Sequence, residues 1–150
     1  MILKQELIQL HVSARDAQDA LTQAAAPFIE KGYAKESFPE ALITREASFP
    51  TALPAQGVDI CIPHADPSHI LETAVGVVVL DEAVEFKMMG DPETPLHPRI
   101  MFVLGLKEAH GQVEMLQKLI EVIQDEQLLQ DILNASEPQA IYDLLAEKLG

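Results

Sequence analysis

The sequence has 150 residues, 48% of them apolar, which is enough chain for one domain with a real core and too apolar for a disordered one. Its formal net charge of -14, from 24 acidic and 10 basic side chains, excludes bulk electrostatic binding to nucleic acid or an anionic membrane; it suits a basic partner, or simply a solvated acidic surface. A single cysteine, Cys61, excludes an intrachain disulfide framework, and the absence of a long apolar leader or run leads to the expectation of a cytoplasmic protein with no membrane insertion.

Residues 1 to 12 are ambiguous, with Leu10-His11-Val12 as a possible short strand. Ser13-Ala14-Arg15-Asp16 reads as a helix start with the serine as cap, and Ala17, Leu21, Ala24 and Phe28 then fall at helical spacing. Gly32 suits the C-terminal cap, whereas Pro27 is expected to kink or shorten the helix. A second helix starts at Ser37-Phe38-Pro39-Glu40, where serine and glutamate stand three apart as in a capping box. It runs to about Ala47 and brings Arg45 to its C-terminal edge; Phe49 to Pro54, with two prolines, reads as a loop.

Val58 to Ile62 is the first clear strand, stopped by Pro63, with His64 just beyond it. Asp66-Pro67-Ser68-His69 is turn chemistry. Ala74 to Leu80 is apolar on both faces and is expected to be a central strand; Val84-Glu85-Phe86 alternates like a short edge strand. Met88 to Pro98 reads as a proline-rich loop, and Arg99 to Leu106 as another buried strand. Gly111-Gln112 opens an amphipathic helix with the stripe Val113, Leu116, Ile120 and Ile123. Leu128, Leu129 and Ile132 mark a short helix, and Ser136-Glu137-Pro138-Gln139 caps a last one that buries Ile141, Leu144 and Leu145. Helices, then strands, then helices again indicate a layered α/β or α+β domain.

Strand ends opening into loops are where such domains place chemistry. Of the five histidines, His64 follows the first clear strand and His110 the last one, just before a helix; if the two strands are neighbours, both imidazoles reach one cleft. A neutral imidazole is a good nucleophile near pH 7 and can take a phosphoryl group. The dianion would then want cations and oriented N–H donors: the fork of Arg45, a ring nitrogen of His110, the hydroxyls of Ser48 and Thr51, and the backbone at the helix start near Gly111. Spacing alone leaves other readings open. His64 can be a plain loop histidine, and His64, Asp66 and His69 can ligate a metal, although they match no zinc signature. Cys61 reads as a small buried hydrophobe. No Gly-rich nucleotide loop is present, so no ATP site and no cofactor is expected.

Residues 37 to 149, and more loosely the whole chain, resemble the enzyme IIA component of the phosphoenolpyruvate-dependent sugar phosphotransferase system (PTS), mannitol/fructose superfamily, galactitol type. The resemblance is carried by Arg45-Glu46, by Gly57-Val58-Asp59-Ile60-Cys61-Ile62-Pro63-His64, by Val84-Glu85-Phe86-Lys87-Met88-Met89-Gly90 and by Glu108-Ala109-His110. Two positions depart from the pattern: Ala65, where the family often has glycine or threonine, and Ala83, where the galactitol type has proline. The resemblance implies a single type-2 EIIA domain over 1–150, built as a mixed five-stranded sheet with helices on both faces. It implies that His64 accepts a phosphoryl group, on Nε2, from phospho-HPr and passes it to a cysteine of a IIB partner, with a membrane IIC permease served indirectly. Arg45 and His110 take the places of the family's stabilising arginine and second histidine. The basic rim that HPr proteins present would favour encounter with an acidic acceptor. The function expected is a phosphoryl carrier for uptake of a sugar or sugar alcohol; the alternative is a PTS-derived regulatory module read through the phosphorylation state of His64.

Overall fold

The computed structural model describes residues 2–149, the side chains of residues 109, 110 and 112 excepted. In chain order it contains β1 (Leu3–Val12), α1 (Ala17–Glu30), α2 (Phe38–Ser48), β2 (Ala52–Pro54), β3 (Asp59–Cys61), a 3-10 turn (Pro67–His69), β4 (Ala74–Leu80), β5 (Phe86–Met88), β6 (Asp91–Leu96), β7 (Pro98–Gly105), α3 (Ala109–Ile123), α4 (Glu126–Asn134) and α5 (Pro138–Leu149). The strands form one mixed sheet in the order β1-β4-β7-β3-β2-β5-β6, so the sheet has seven strands and not the expected five.

Side-chain alternation along the central strands divides the core into two layers. Met101 and Val103 of β7, Cys61 of β3, and Val78 and Leu80 of β4 face one layer, where Leu21 and Phe28 of α1 and Phe38 and Leu42 of α2 pack on them. Ile100, Phe102 and Leu104, with Ile60, Val75 and Val77, face the other, under Leu119, Leu129, Ile132, Ile141 and Leu145 of α3 to α5. Helices therefore cover both faces. Every residue of β4 is buried, as its unbroken apolar run predicts for a strand inside the sheet. Among the described residues no helix is long and apolar enough to cross a membrane.

Two additional strands, β2 and β6, account for the difference in count, and two others, β1 and β5, differ in extent or place. The chain start is a full ten-residue strand pairing parallel to β4, not a short one at Leu10 to Val12. Its register with β4 slips between Leu3 and Ile8 and again between Gln9 and Val12, which destroys the period-2 pattern. The segment read as a loop holds β2, which pairs antiparallel with β3. The edge strand expected at Val84 to Phe86 is displaced to Phe86–Met88 and lies inside the sheet. The outer edge is β6, in the stretch read as a proline-rich loop; an edge position tolerates Pro92 and Pro95 because their missing N–H groups cost no ladder bond on the open side.

Helix ends differ in similar ways. Asp16, not Ser13, caps α1, accepting from Asp19 N at 2.8 Å. The helix runs through Pro27 to Glu30 instead of stopping. Pro27 cannot bond the Gln23 carbonyl, and Gln9 Nε2 donates to that oxygen instead, at 3.0 Å. Gly32, at φ 82°, closes the helix as expected, with Tyr33 N donating to Phe28 O at 2.8 Å. Ser37 precedes α2, but its side chain makes no cap bond; its Oγ pairs with His69 Nδ1 at 2.8 Å. Helix α3 begins at Ala109, two residues before the expected Gly111, and its buried stripe keeps Ile123 and, in part, Leu116 of the expected one. Met115, Leu119 and Val122 face the core, while Val113 and Ile120 of the expected stripe are 58% and 45% exposed.

Gly76 shows how tightly α1 and β1 close on the sheet. A Cβ there would lie 2.6 Å from the Leu7 carbonyl and 3.1 Å from the Phe28 ring. Gly76→Ala is expected to destabilise the fold by about 1–3 kcal/mol through overpacking, a fall in Tm of roughly 3–10 °C for a chain of this size in a thermal melt. An unchanged Tm would mean that β1 yields to the added methyl group.

Candidate functional site

The site forms where β3 and β7 run parallel and end at the same edge of the sheet. Ile62 N donates to Thr51 O at 3.1 Å, which extends the β2–β3 pairing one step past Ala52↔Cys61. Pro63 O accepts from Leu104 N at 2.9 Å, and His64 stands opposite Leu104 in a parallel bridge. The backbone on both sides of the histidine is thus tied to a neighbouring strand. Since Pro63 has no N–H and a fixed φ, it adds stiffness just before His64.

His64 is 8% exposed, and its Nδ1 lies 2.8 Å from the Ile62 carbonyl oxygen. A carbonyl only accepts, so Nδ1 carries the proton, and in the neutral ring the lone pair is left on Nε2. Burial pulls the His64 pKa below its ordinary value; the Ile62 carbonyl opposes this and the positive charge of Arg45 adds to it. At neutral pH the ring is therefore an uncharged base with its free lone pair on Nε2.

Arg45 sits in the last turn of α2. Its Nε is buried and has no hydrogen-bond partner among the described residues, and its guanidinium lies 5.4 Å from the centre of the Phe49 ring. Its charge acts on His64, on Glu46 and on Asp66, which puts all four groups in one neighbourhood. A groove beside it is lined by Ser37, Arg45, Ser48, Phe49, Asp66 and His69. An unpaired buried N–H next to an uncharged nucleophile suits an anion that arrives with its substrate.

The other residues singled out in the sequence divide. Ser48 is exposed and shares the groove with Arg45. Thr51 is 2% exposed, and its hydroxyl donates to Glu46 Oε1 at 2.8 Å while its N–H donates to Glu46 Oε2 at 2.7 Å. The Thr51 hydroxyl proton is therefore committed to Glu46. His110 falls in the first turn of α3, after the strand next to β3, but its side chain lies outside the described residues. The adjacency of the two strands that precede the histidines, on which the cleft depends, is present. His64, Asp66 and His69 are not gathered into a ligand set: no three metal-binding side chains cluster among the described residues, and Asp66 instead accepts from Ser68 N at 2.9 Å. Burial pushes the Cys61 thiol well up, so it is an inert core residue.

Glu46 is the residue whose part the sequence did not disclose. Burial pushes its carboxyl pKa up, against the opposing effect of the two Thr51 bonds and Arg45. The spacing Glu46 to Thr51, from a helix end to a strand start, was the available signal, but an exposed glutamate at a helix end looks the same in sequence.

Comparison with known proteins gives the family and the fold. The family model "Phosphoenolpyruvate-dependent sugar phosphotransferase system, EIIA 2" matches residues 1–148. The galactitol-specific EIIA component of Escherichia coli K12 is 25% identical over 128 residues, 85% of each chain. In fold, the chain is similar to crystalline IIA mannitol from Escherichia coli, with TM-score 0.80, 21% identity and coverage of 97% of this chain and 99% of that one. It is similar also to the IIA of the Escherichia coli complex between enzyme IIA mannitol and phosphorylated enzyme IIB mannitol, with TM-score 0.78, 22% identity and coverage of 97% and 99%. A match over nearly the whole sequence, on a sheet edge that holds an uncharged histidine beside an arginine, shows that the chain belongs to the EIIA type-2 family of the phosphoenolpyruvate-dependent sugar phosphotransferase system and is a phosphotransferase.

Proposed function

We propose that this chain is a phosphoryl carrier that accepts phosphate on Nε2 of His64 from phospho-HPr and passes it to a cysteine of a IIB component. The observation that carries this reading is the Nδ1 bond to the Ile62 carbonyl, which leaves the lone pair on Nε2 of a buried, uncharged ring. In the accepting step the Nε2 lone pair forms the bond to phosphorus. The bond from phosphorus to the donor histidine breaks, and its electron pair returns to the donor ring. In the second step the IIB thiolate forms the new bond and the pair returns to His64. Little covalent help is needed in such a transfer; positioning and charge stabilisation dominate. Arg45 supplies a fork of donors to the equatorial oxygens, and His110 and Ser48 add further donors. Thr51, whose hydroxyl proton is held by Glu46, contributes to the frame of the site more than to the phosphate.

The IIB partner is supported by the similarity to a IIA captured with phosphorylated IIB. A sugar alcohol as the final acceptor is supported by the 25% identity to a galactitol-specific component. The net charge of -14 favours encounter with a donor whose histidine is ringed by basic side chains.

The test is a relay in vitro. With enzyme I, HPr and labelled phosphoenolpyruvate, the chain is expected to take up an acid-labile, alkali-stable label and to lose it rapidly to an added galactitol-type IIB domain. Label that stays on the chain in the presence of IIB domains of the galactitol, mannitol and fructose types would overturn the transport role. It would leave a regulatory module as the better reading.

A further inference from the structure

We propose that Glu46 is a positioning residue for His64, acting through Thr51 and Ile62; this rests on His64 being the phosphoryl acceptor. Thr51 and His64 are the buried polar residues among those described. Both are members of one hydrogen-bonded chain. Glu46 Oε2 and Oε1 accept from Thr51 N and Oγ1 at 2.7 and 2.8 Å, Thr51 O accepts from Ile62 N at 3.1 Å, and Ile62 O accepts from His64 Nδ1 at 2.8 Å. Each link is the end of one element held by the next: the end of α2, the start of β2, the end of β3, the nucleophile.

The effect of the chain is on the imidazole tautomer. Which nitrogen of a histidine carries the proton is set by the hydrogen bond that the other nitrogen or its own N–H can make. Here the acceptor is the Ile62 carbonyl, whose place depends on the pairing of Ile62 with Thr51. β2 and β3 are each three residues long, so the ladder alone holds that pairing weakly. The carboxylate of Glu46 pins Thr51 by two charge-assisted bonds at once. If Thr51 shifts, the Ile62 carbonyl shifts with it, and the ring gains the alternative tautomer, in which Nε2 carries the proton and cannot attack. Glu46 also follows Arg45 directly, so the same clamp fixes the turn of α2 that delivers the guanidinium.

The test uses the full chain with 15N-labelled histidine. In Glu46→Gln the amide keeps the size but can accept only one of the two Thr51 donors. The expected result is a detectable Nε2–H population of His64 in the nitrogen spectrum and acceptance of phosphate from phospho-HPr slowed by ~10–100-fold, the scale of a small misplacement of reacting groups. Thr51→Val, which removes the hydroxyl and keeps the shape, is expected to move both readouts in the same direction by less, and Thr51→Ser to restore them. A folded Glu46→Gln with the native tautomer and rate overturns the proposal; if that variant does not fold, native values in Thr51→Val do so. The tautomer is read on unphosphorylated protein, so its failure to move sinks the clamp whatever the acceptor is. Label that survives His64→Ala sinks the acceptor reading whatever the tautomer is.

Discussion

Replacing His64 by alanine is expected to remove all label above background in the enzyme I and HPr relay, with the fold intact. On the proposed role the loss is complete, not partial, because the side chain provides the bond to phosphorus. On the proposed roles Arg45 and Ser48 hold the anion without attacking it, and His110, in the first turn of α3, donates to the transferred group instead of accepting it. Cys61, the one thiol, is buried with its pKa pushed up and cannot substitute. Folding is expected to survive, since the ties that fix this edge run through the backbone of Ile62 and Pro63 and not through the imidazole. His64→Gln is the companion variant. It keeps a side chain able to donate to the Ile62 carbonyl, and it is also expected to carry no label. Circular dichroism and a thermal melt establish that both are folded; label on either folded variant would move the acceptor to another residue.

Arg45→Met is expected to slow phosphoryl acceptance by ~10²–10³-fold, the usual cost of removing one donor to a developing charge. Stability should change little, because the Arg45 Nε has no described partner to lose and the methionine keeps the apolar stem against Phe49. The same variant has a signature in pH. Burial first, and the Arg45 charge after it, hold the His64 pKa below 6.5. In the native chain the His64 titration followed by NMR is therefore expected to have its midpoint below 6.5, and the transfer rate to hold level from neutral pH down to that midpoint. With the cation gone, the charged ring is opposed less and the midpoint rises toward 6.5. Stability follows the same sign. Between the lowered folded pKa and the ordinary value the unfolded chain binds more protons, so the neutral ring's contribution is present above about pH 6.5 and is lost as pH falls below it. That acid loss should be smaller in Arg45→Met. A midpoint that does not move, with a rate near native, would remove Arg45 from the site.

Much of the layered architecture is legible in the chain because long apolar runs have few ways to hide. Ala74 to Leu80 cannot face water on either side, so a central place in a covered sheet follows, and it is there. The missed strands share another character. β2 has three residues, too few to show alternation; β5, equally short, is expected two residues early at Val84 to Phe86; and β6 carries two prolines that only an edge allows. β1 is long enough, but its register slips put Leu3 and Ile8 on one face and Leu7 and Val12 on the other, at spacings no period-2 reading accepts. Helix α3 has two apolar stripes at helical spacing. Sequence periodicity chose Val113, Leu116, Ile120 and Ile123; packing kept Ile123 and part of Leu116, and turned Met115, Leu119 and Val122 to the core in place of Val113 and Ile120.

The sequence by itself determined the chemistry on offer: a histidine after a proline at a strand end, an arginine at a helix end, a second histidine before a later helix, and a family resemblance that joined them. Side-chain type and order along the chain carry that much, since nucleophilicity and charge belong to the residues. Only the tertiary structure decided how the histidine is held. That β3 lies beside β7, that Ile62 turns its carbonyl to Nδ1, and that Glu46 reaches Thr51 all depend on which strand pairs with which. Pairing is set by the burial of two whole faces at once, a sum over the chain that no local spacing contains.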